Sequence, residues 1–99
     1  MHWDKLRLRL DSLIPMLEDE DEWIRLGVAH ALGQIGQPAQ AAIPMLIQSL
    51  LDEHEGVRHN AVKALILIGK PSVPQLIDTF EDGDRVMQLR VIDVLGRFG

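Results

Sequence analysis

The sequence predicts an all-α fold, an α-solenoid of about three antiparallel helix hairpins, and three observations carry that expectation. A motif recurs. Trp23-Ile24-Arg25-Leu26-Gly27-Val28-Ala29-His30-Ala31-Leu32-Gly33-Gln34-Ile35-Gly36 is echoed 33 residues later by Val57-Arg58-His59-Asn60-Ala61-Val62-Lys63-Ala64-Leu65 through Gly69, and 30 residues after that by Met87-Gln88-Leu89-Arg90-Val91 through Gly99. Each copy ends on an aligned glycine: Gly36, Gly69 and Gly99. Finally, the chain is 46% hydrophobic but only 4% aromatic, so its core must come from Leu, Ile, Val and Ala. A fixed period of this size marks units that bury their apolar faces against their neighbours.

The elements follow in order. A first helix is expected over about 4–18, with Leu6, Leu10, Leu13, Ile14 and Leu17 on one face. Pro15 inside it implies a kink or a late helix start. Two registers relate this helix to the next unit. One matches Ile14-Pro15-Met16-Leu17 to Ile43-Pro44-Met45-Leu46. The other keeps the ungapped 33-residue offset, pairing Leu10, Leu13 and Leu17 with Ile43, Leu46 and Leu50. It is preferred because Asp19 and Arg25 then fall in line with Asp52 and Arg58.

The second helices are expected over about 21–35, 54–68 and 84–98. Asp19 and Asp52 stand three residues before Glu22 and Glu55, the spacing of a capping box. In the third unit Arg85 follows Asp82 at that spacing, so Asp84 is the expected cap there. Gly36 and Gly69 suit the left-handed position after a helix, and Pro38 and Pro71 two residues further on prevent continuation. The remaining helices are expected over about 40–51 and 71–81, with Pro44 and Pro74 near their first turns. The three-residue difference in period then falls in the loop before Val73-Pro74, where it is cheap. The chain reads as one domain with units over roughly 4–36, 37–69 and 70–99.

The pattern Val57-Arg58, Ala61, Ala64-Leu65, Ile68-Gly69, together with Ile43-Pro44-Met45-Leu46-Ile47, resembles the HEAT-like repeats named after the phycobilisome bilin lyases. The third unit departs from it, with Met87-Gln88 for Val-Arg and with Val91 and Val94 where small alanines are usual. The resemblance covers nearly the whole chain and implies the fold. Its functional implications diverge, because such repeats occur in bilin lyases, in deoxyhypusine hydroxylase and in many scaffold proteins.

Deoxyhypusine hydroxylase holds two irons with His-Glu pairs inside Arg-His-Glu-Ala. The matching residues here are Arg58-His59-Asn60-Ala61, so the glutamate position holds Asn60. His54-Glu55 is the one literal His-Glu pair, in the turn before the helix. No metal or other cofactor is therefore expected. Covalent catalysis has no candidate either: the chain has no cysteine, and Ser12, Ser49, Ser72 and Thr79 lie in no nucleophile motif. The glycines sit at helix ends and form no phosphate loop. Bilin lyases of this repeat type are pairs of much longer solenoids, so the resemblance implies at most an accessory role in lyase or phycobilisome assembly or degradation.

The net charge of −5 argues against a nucleic-acid surface and against docking on anionic lipid. No stretch approaches a membrane span, and Met1-His2-Trp3-Asp4-Lys5 leads into no signal core, so a cytoplasmic protein is the expectation.

Structural roles are expected for Arg25 and Arg58, each six residues after an aspartate (Asp19 and Asp52), as pairs with a carboxylate or carbonyl between units. Ala29, Ala31, Gly33, Ala61 and Ala64 fit close helix packing. A ladder of outward positions on the second helices is the candidate partner site: Trp23, Leu26, His30 and Gln34; Gly56, His59, Lys63 and Leu67; Val86, Leu89, Asp93 and Arg97. In the resembling repeats this ladder lines the concave face. Its mixture of one aromatic, several aliphatics and a few polar groups suits a protein or peptide partner. The competing expectation is that Leu26 and Leu89 pack along the ladder and Trp23 covers a helix start. Val91, Ile92, Val94, Leu95 and Phe98 make the last helix apolar. Either the chain belongs to a longer array or this end pairs with a second copy through Val91, Ile92 and Phe98; Leu6 and Leu8 are a weaker second surface. The expected function is a non-catalytic protein-interaction module, an adaptor or assembly scaffold.

Overall fold

The computed structural model describes residues 9–98; Leu6, Leu8 and Gly99, and the expected helix start near residue 4, lie outside them. Six helices follow one another, with no strand among the described residues. Helix α1 covers 9–13 and tightens into a 3₁₀ turn, Ile14–Glu18, with Pro15 in its first turn. Proline lacks the donor that an α-helix interior needs, so the change of winding falls where Pro15 enters. Helix α2 is Glu22–Ile35. A 3₁₀ segment, Gln37–Ala42, leads into α3, Ile43–Gln48, which closes in another 3₁₀ turn, Ser49–Leu51. The rest is α4, Glu55–Ile68; α5, Ser72–Asp82; and α6, Arg85–Phe98.

Short turns of two or three residues join α1 to α2, α3 to α4 and α5 to α6, and each such pair packs together as a hairpin. Across hairpins, α2 packs on α4 and α4 on α6, while α1 meets α3 and α3 meets α5. First helices thus contact first helices and second contact second. Among the described residues, no helix is long and apolar enough to cross a membrane.

The core is aliphatic. Leu32, Ile43, Leu46, Leu50, Val57, Leu65, Leu76, Val91 and Val94 are essentially inaccessible to solvent. Ala29, Ala61, Ala64 and Gly33 are buried where α2 and α4 share the most extensive helix contact, whereas Ala31 is half-buried. A Cβ on Gly33 would stand 3.1 Å from the Ala64 Cα and 3.3 Å from a Leu67 methyl, so this crossing is as close as a glycine permits. The α4–α6 contact is much smaller. There Val91 and Val94 replace alanines, and Ile66 occupies the repeat position of Gly33, so bulk holds the last pair apart.

The preferred register holds. The turns after α1 and α3 superpose at 33 residues: Asp19 has φ −60° and ψ 147°, Asp52 has φ −57° and ψ 142°, and each donates its N–H to the carbonyl three residues back. The expected caps need correction. Asp21 Oδ1 caps α2 by accepting the Trp23 N–H at 2.8 Å, and His54 Nδ1 caps α4 by accepting the Gly56 N–H at 3.1 Å. Asp19 and Asp52 stand two residues earlier, where each closes a turn by accepting the N–H of the true cap, at 2.8 and 2.9 Å. Asp84 Oδ1 accepts the Met87 N–H at the start of α6.

Gly36 and Gly69 have positive φ, 76° and 90°, but their ψ of −142° and −144° lies outside the left-handed helical well. The backbone there approaches a region that essentially only glycine enters, which turns the chain sharply toward the next hairpin. Val91 also needs correction as a self-association residue. It points inward and is fully buried, Phe98 is half-buried, and the exposed apolar residues of α6 are Val86, Leu89 and Ile92.

Candidate functional site

The two repeated arginines organise the turns between hairpins. Arg25, in the first turn of α2, donates from Nη1 to the Asp19 carbonyl at 2.7 Å and to the Glu20 carbonyl at 3.1 Å. Its other edge meets Asp52 of the next hairpin in a two-point pair, Nε to Oδ2 at 2.8 Å and Nη2 to Oδ1 at 3.1 Å. Both side chains are nearly buried, and the planar guanidinium fork matches the carboxylate. Burial pushes the Asp52 carboxyl up. The Arg25 hydrogen bonds, the His54 N–H and the Arg25 charge outweigh that and hold it below the ordinary carboxylate value. Arg25 is raised in turn, chiefly by its hydrogen bond to Asp52.

Arg58 repeats half of this arrangement. Its Nη1 donates to the Asp52 carbonyl at 2.7 Å, just as Arg25 does to Asp19, but among the described residues no carboxylate meets its other edge.

Ladder residues are largely on the surface. Trp23 is 67% exposed, Leu67 51% and Leu89 54%; His30, Gln34, His59, Lys63, Asp93 and Arg97 are exposed too. Leu26 departs from the set. It is half-buried, and a Cβ on Gly56 would meet its methyl at 2.8 Å, so Leu26 packs directly over Gly56 at the start of α4. Leu89 does not pack in this way. Trp23 lies edge-on to His54, with ring centroids 5.9 Å apart, and His54 Nε2 approaches Glu22 at 3.8 Å. A single histidine therefore caps α4, borders the exposed tryptophan and links it to the next unit.

Several residues were missed by the sequence reading. Asn60, which stands where the iron-binding repeats have glutamate, donates from Nδ2 to the Leu26 carbonyl at 3.0 Å and ties α4 to α2. Ser72 is fully buried and donates to the Leu65 carbonyl at 2.9 Å, satisfying the end of α4. Arg90 lines a cleft of about 200 Å³ between α4 and α6 together with Arg58, His59, Asp93, Arg97 and Glu55. The seven-residue spacing of Arg90 and Arg97, two turns on one helix side, was the available signal. A larger groove of about 640 Å³ runs along the turns by Arg25, and its other charged residues are all acidic: Glu18, Asp19, Glu20, Asp52 and Glu53. Its arginine is already paired on both edges. Among the described residues no three His, Asp or Glu side chains converge as metal ligands.

No curated protein matches the chain. The family model for HEAT repeats matches residues 9–55, the span from α1 through α3 to the first residue of α4 that contains the Arg25–Asp52 pair. Over that span, a little under half of the chain, the sequence is similar to HEAT repeats.

Proposed function

We propose that the chain is a short α-solenoid that works as a non-catalytic protein-interaction module, an adaptor or assembly scaffold, with the ladder on α2, α4 and α6 as its partner surface. Stacked helical repeats of this kind present extended faces to partners, and the HEAT match supports the same reading. One observation carries it further. Trp23, Leu67, Val86 and Leu89 stay more than half exposed on the outward ladder of the second helices, where they alternate with His30, His59, Lys63 and Arg97. Large apolar groups set among polar ones are the composition of a binding surface.

The test is capture by the immobilised chain, with bound protein identified, against a variant carrying Trp23→Ala and His59→Ala. The variant should lose the bound protein while its helical melting transition is kept. A control on the other layer, Gln40→Ala with Asp78→Ala, should retain it. Undiminished capture by the ladder variant refutes the assignment.

A further inference from the structure

The repeat is broken at its second arginine. Arg25 and Arg58 are one unit apart and each anchors Nη1 on an aspartate carbonyl at 2.7 Å. The Nε–Nη2 edge of Arg25 then receives the Asp52 carboxylate. Asp52 reaches it from an extended turn of three residues between α3 and α4. The corresponding turn between α5 and α6 has two residues, Gly83 and Asp84. Asp82, which holds the place of Asp52 at the 30-residue offset, is therefore the last residue of α5 and lines a different concavity with Gly83 and Met87. One residue fewer in the turn removes the acceptor from Arg58.

Arg58 also lines the α4–α6 cleft. Arg58, Arg90 and Arg97 line that cleft against two carboxylates, Glu55 and Asp93. Asp93 pairs with Arg97 alone, through an exposed contact of 3.4 Å to both carboxylate oxygens, and among the described residues no carboxylate pairs with Arg58 or Arg90. Three guanidinium groups around one concavity, on a chain of net charge −5, mark a local place for an anion. The fork of Arg58 fixes the kind of anion, because in the preceding unit the same fork takes an aspartate side chain carried on extended backbone.

We infer that the α4–α6 cleft is a carboxylate-binding subsite of the ladder, in which an aspartate of an extended partner peptide takes the Nε–Nη2 edge of Arg58 as Asp52 takes that of Arg25. This rests on the reading of the ladder as a partner surface, and it names the chemistry of the partner: an acidic, extended protein segment. His59 and the Val62 side chain complete the wall from α4.

The experiment follows the arginine Nε–H signals of the ¹⁵N-labelled 99-residue chain by NMR. The probes are acetyl-Gly-Asp-Asp-Gly-amide, its Asn-Asn counterpart and inorganic phosphate. The aspartate peptide should move the Arg58 signal saturably and the asparagine peptide should not. Read on the Arg90 and Arg97 signals of the same cleft, Arg58→Gln should weaken the affinity by about tenfold or more, the loss expected for a charge-assisted pair. Arg90→Gln, a surface change that leaves the Asp52 carbonyl bond intact, should weaken it independently of any effect of Arg58→Gln on folding. Equal responses to both peptides, or unchanged affinity in the Arg90→Gln variant, overturn the inference. Saturable phosphate binding without a response to the aspartate peptide overturns the assignment to a peptide carboxylate. Because the probes are free peptides, binding here together with failed capture in the ladder experiment would count against the wider ladder alone.

Discussion

Gly33 and Gly96 occupy the same repeat position on α2 and α6, yet the structure assigns them opposite responses to alanine. In α6 a Cβ on Gly96 would meet nothing within 4 Å. The substitution then acts through helix propensity and the entropy of the unfolded chain, which together favour alanine by about 0.8–1 kcal/mol in a helix interior. In α2 the same gain is opposed by contacts at 3.1 and 3.3 Å with the Ala64 Cα and Cβ and at 3.3 Å with Leu67. The Leu67 methyl is a flexible end and can move. The Ala64 backbone cannot easily do so, because Ala64 is buried in α4, which packs on α3 and α5 as well as on α2. Overpacking of this kind costs about 1–3 kcal/mol, so Gly33→Ala should fall between neutral and about 2 kcal/mol destabilising. Thermal melts of the two variants measured side by side should show Gly96→Ala rising and Gly33→Ala level or falling. A separation of at least about 4 °C is expected for a domain of this size. Gly27→Ala, also in α2 and also facing open space, should behave like Gly96→Ala. If Gly33→Ala rises as far as those two, α4 yields to the added methyl and the close α2–α4 crossing is not a constraint.

Gly69→Ala forces a Cβ into φ 90°, ψ −144°, which should cost about 1–3 kcal/mol in denaturant unfolding; Gly36→Ala should cost a similar amount. Asp52 makes stability depend on acid. Its folded carboxyl lies below the ordinary carboxylate value, so its contribution is complete above the unfolded value and is lost as pH falls below that and through the folded one. Unfolding free energies from about pH 2 to 6 should show that loss in the wild type and a flatter profile in Asp52→Asn; parallel profiles would contradict the pairing. Ser72→Ala removes the buried bond to the Leu65 carbonyl, and a loss of about 0.5–1.5 kcal/mol is expected by the same measurement.

The second helices were legible in the sequence to within a residue, because three signals coincided there: 3.6-residue periodicity, a polar residue before each start and a glycine after two of them. The turns before them were not. An Asp-x-x-Glu spacing fits both a capping box and an aspartate that closes a turn ahead of the real cap. The second outcome prevails here because Arg25 and Arg58 reach back to the Asp19 and Asp52 carbonyls and hold those residues extended. That choice depends on a contact six residues away, which local pattern does not encode. Val91 failed for a related reason. Apolar content marked α6 as a whole, but only the register of α6 against α5 and α4 separates buried Val91 and Val94 from exposed Leu89 and Ile92.

The candidate site was half legible for the same physical cause. Exposure of the ladder follows from helical period, and the structure places all of its residues but Leu26 and Gly56 at the surface. The cleft at Arg58 follows instead from a broken symmetry. Had the turn after α5 kept its third residue, Asp82 would stand on an extended segment like Asp52, and the second arginine would be saturated as the first is. Bulk at Ile66, Val91 and Val94 adds to the effect by keeping α6 from closing on α4. A shortened turn and a few larger side chains thus convert a structural ion pair into an open guanidinium. In a repeat protein, such departures from the period are where a unit stops satisfying its neighbour and becomes available to a partner.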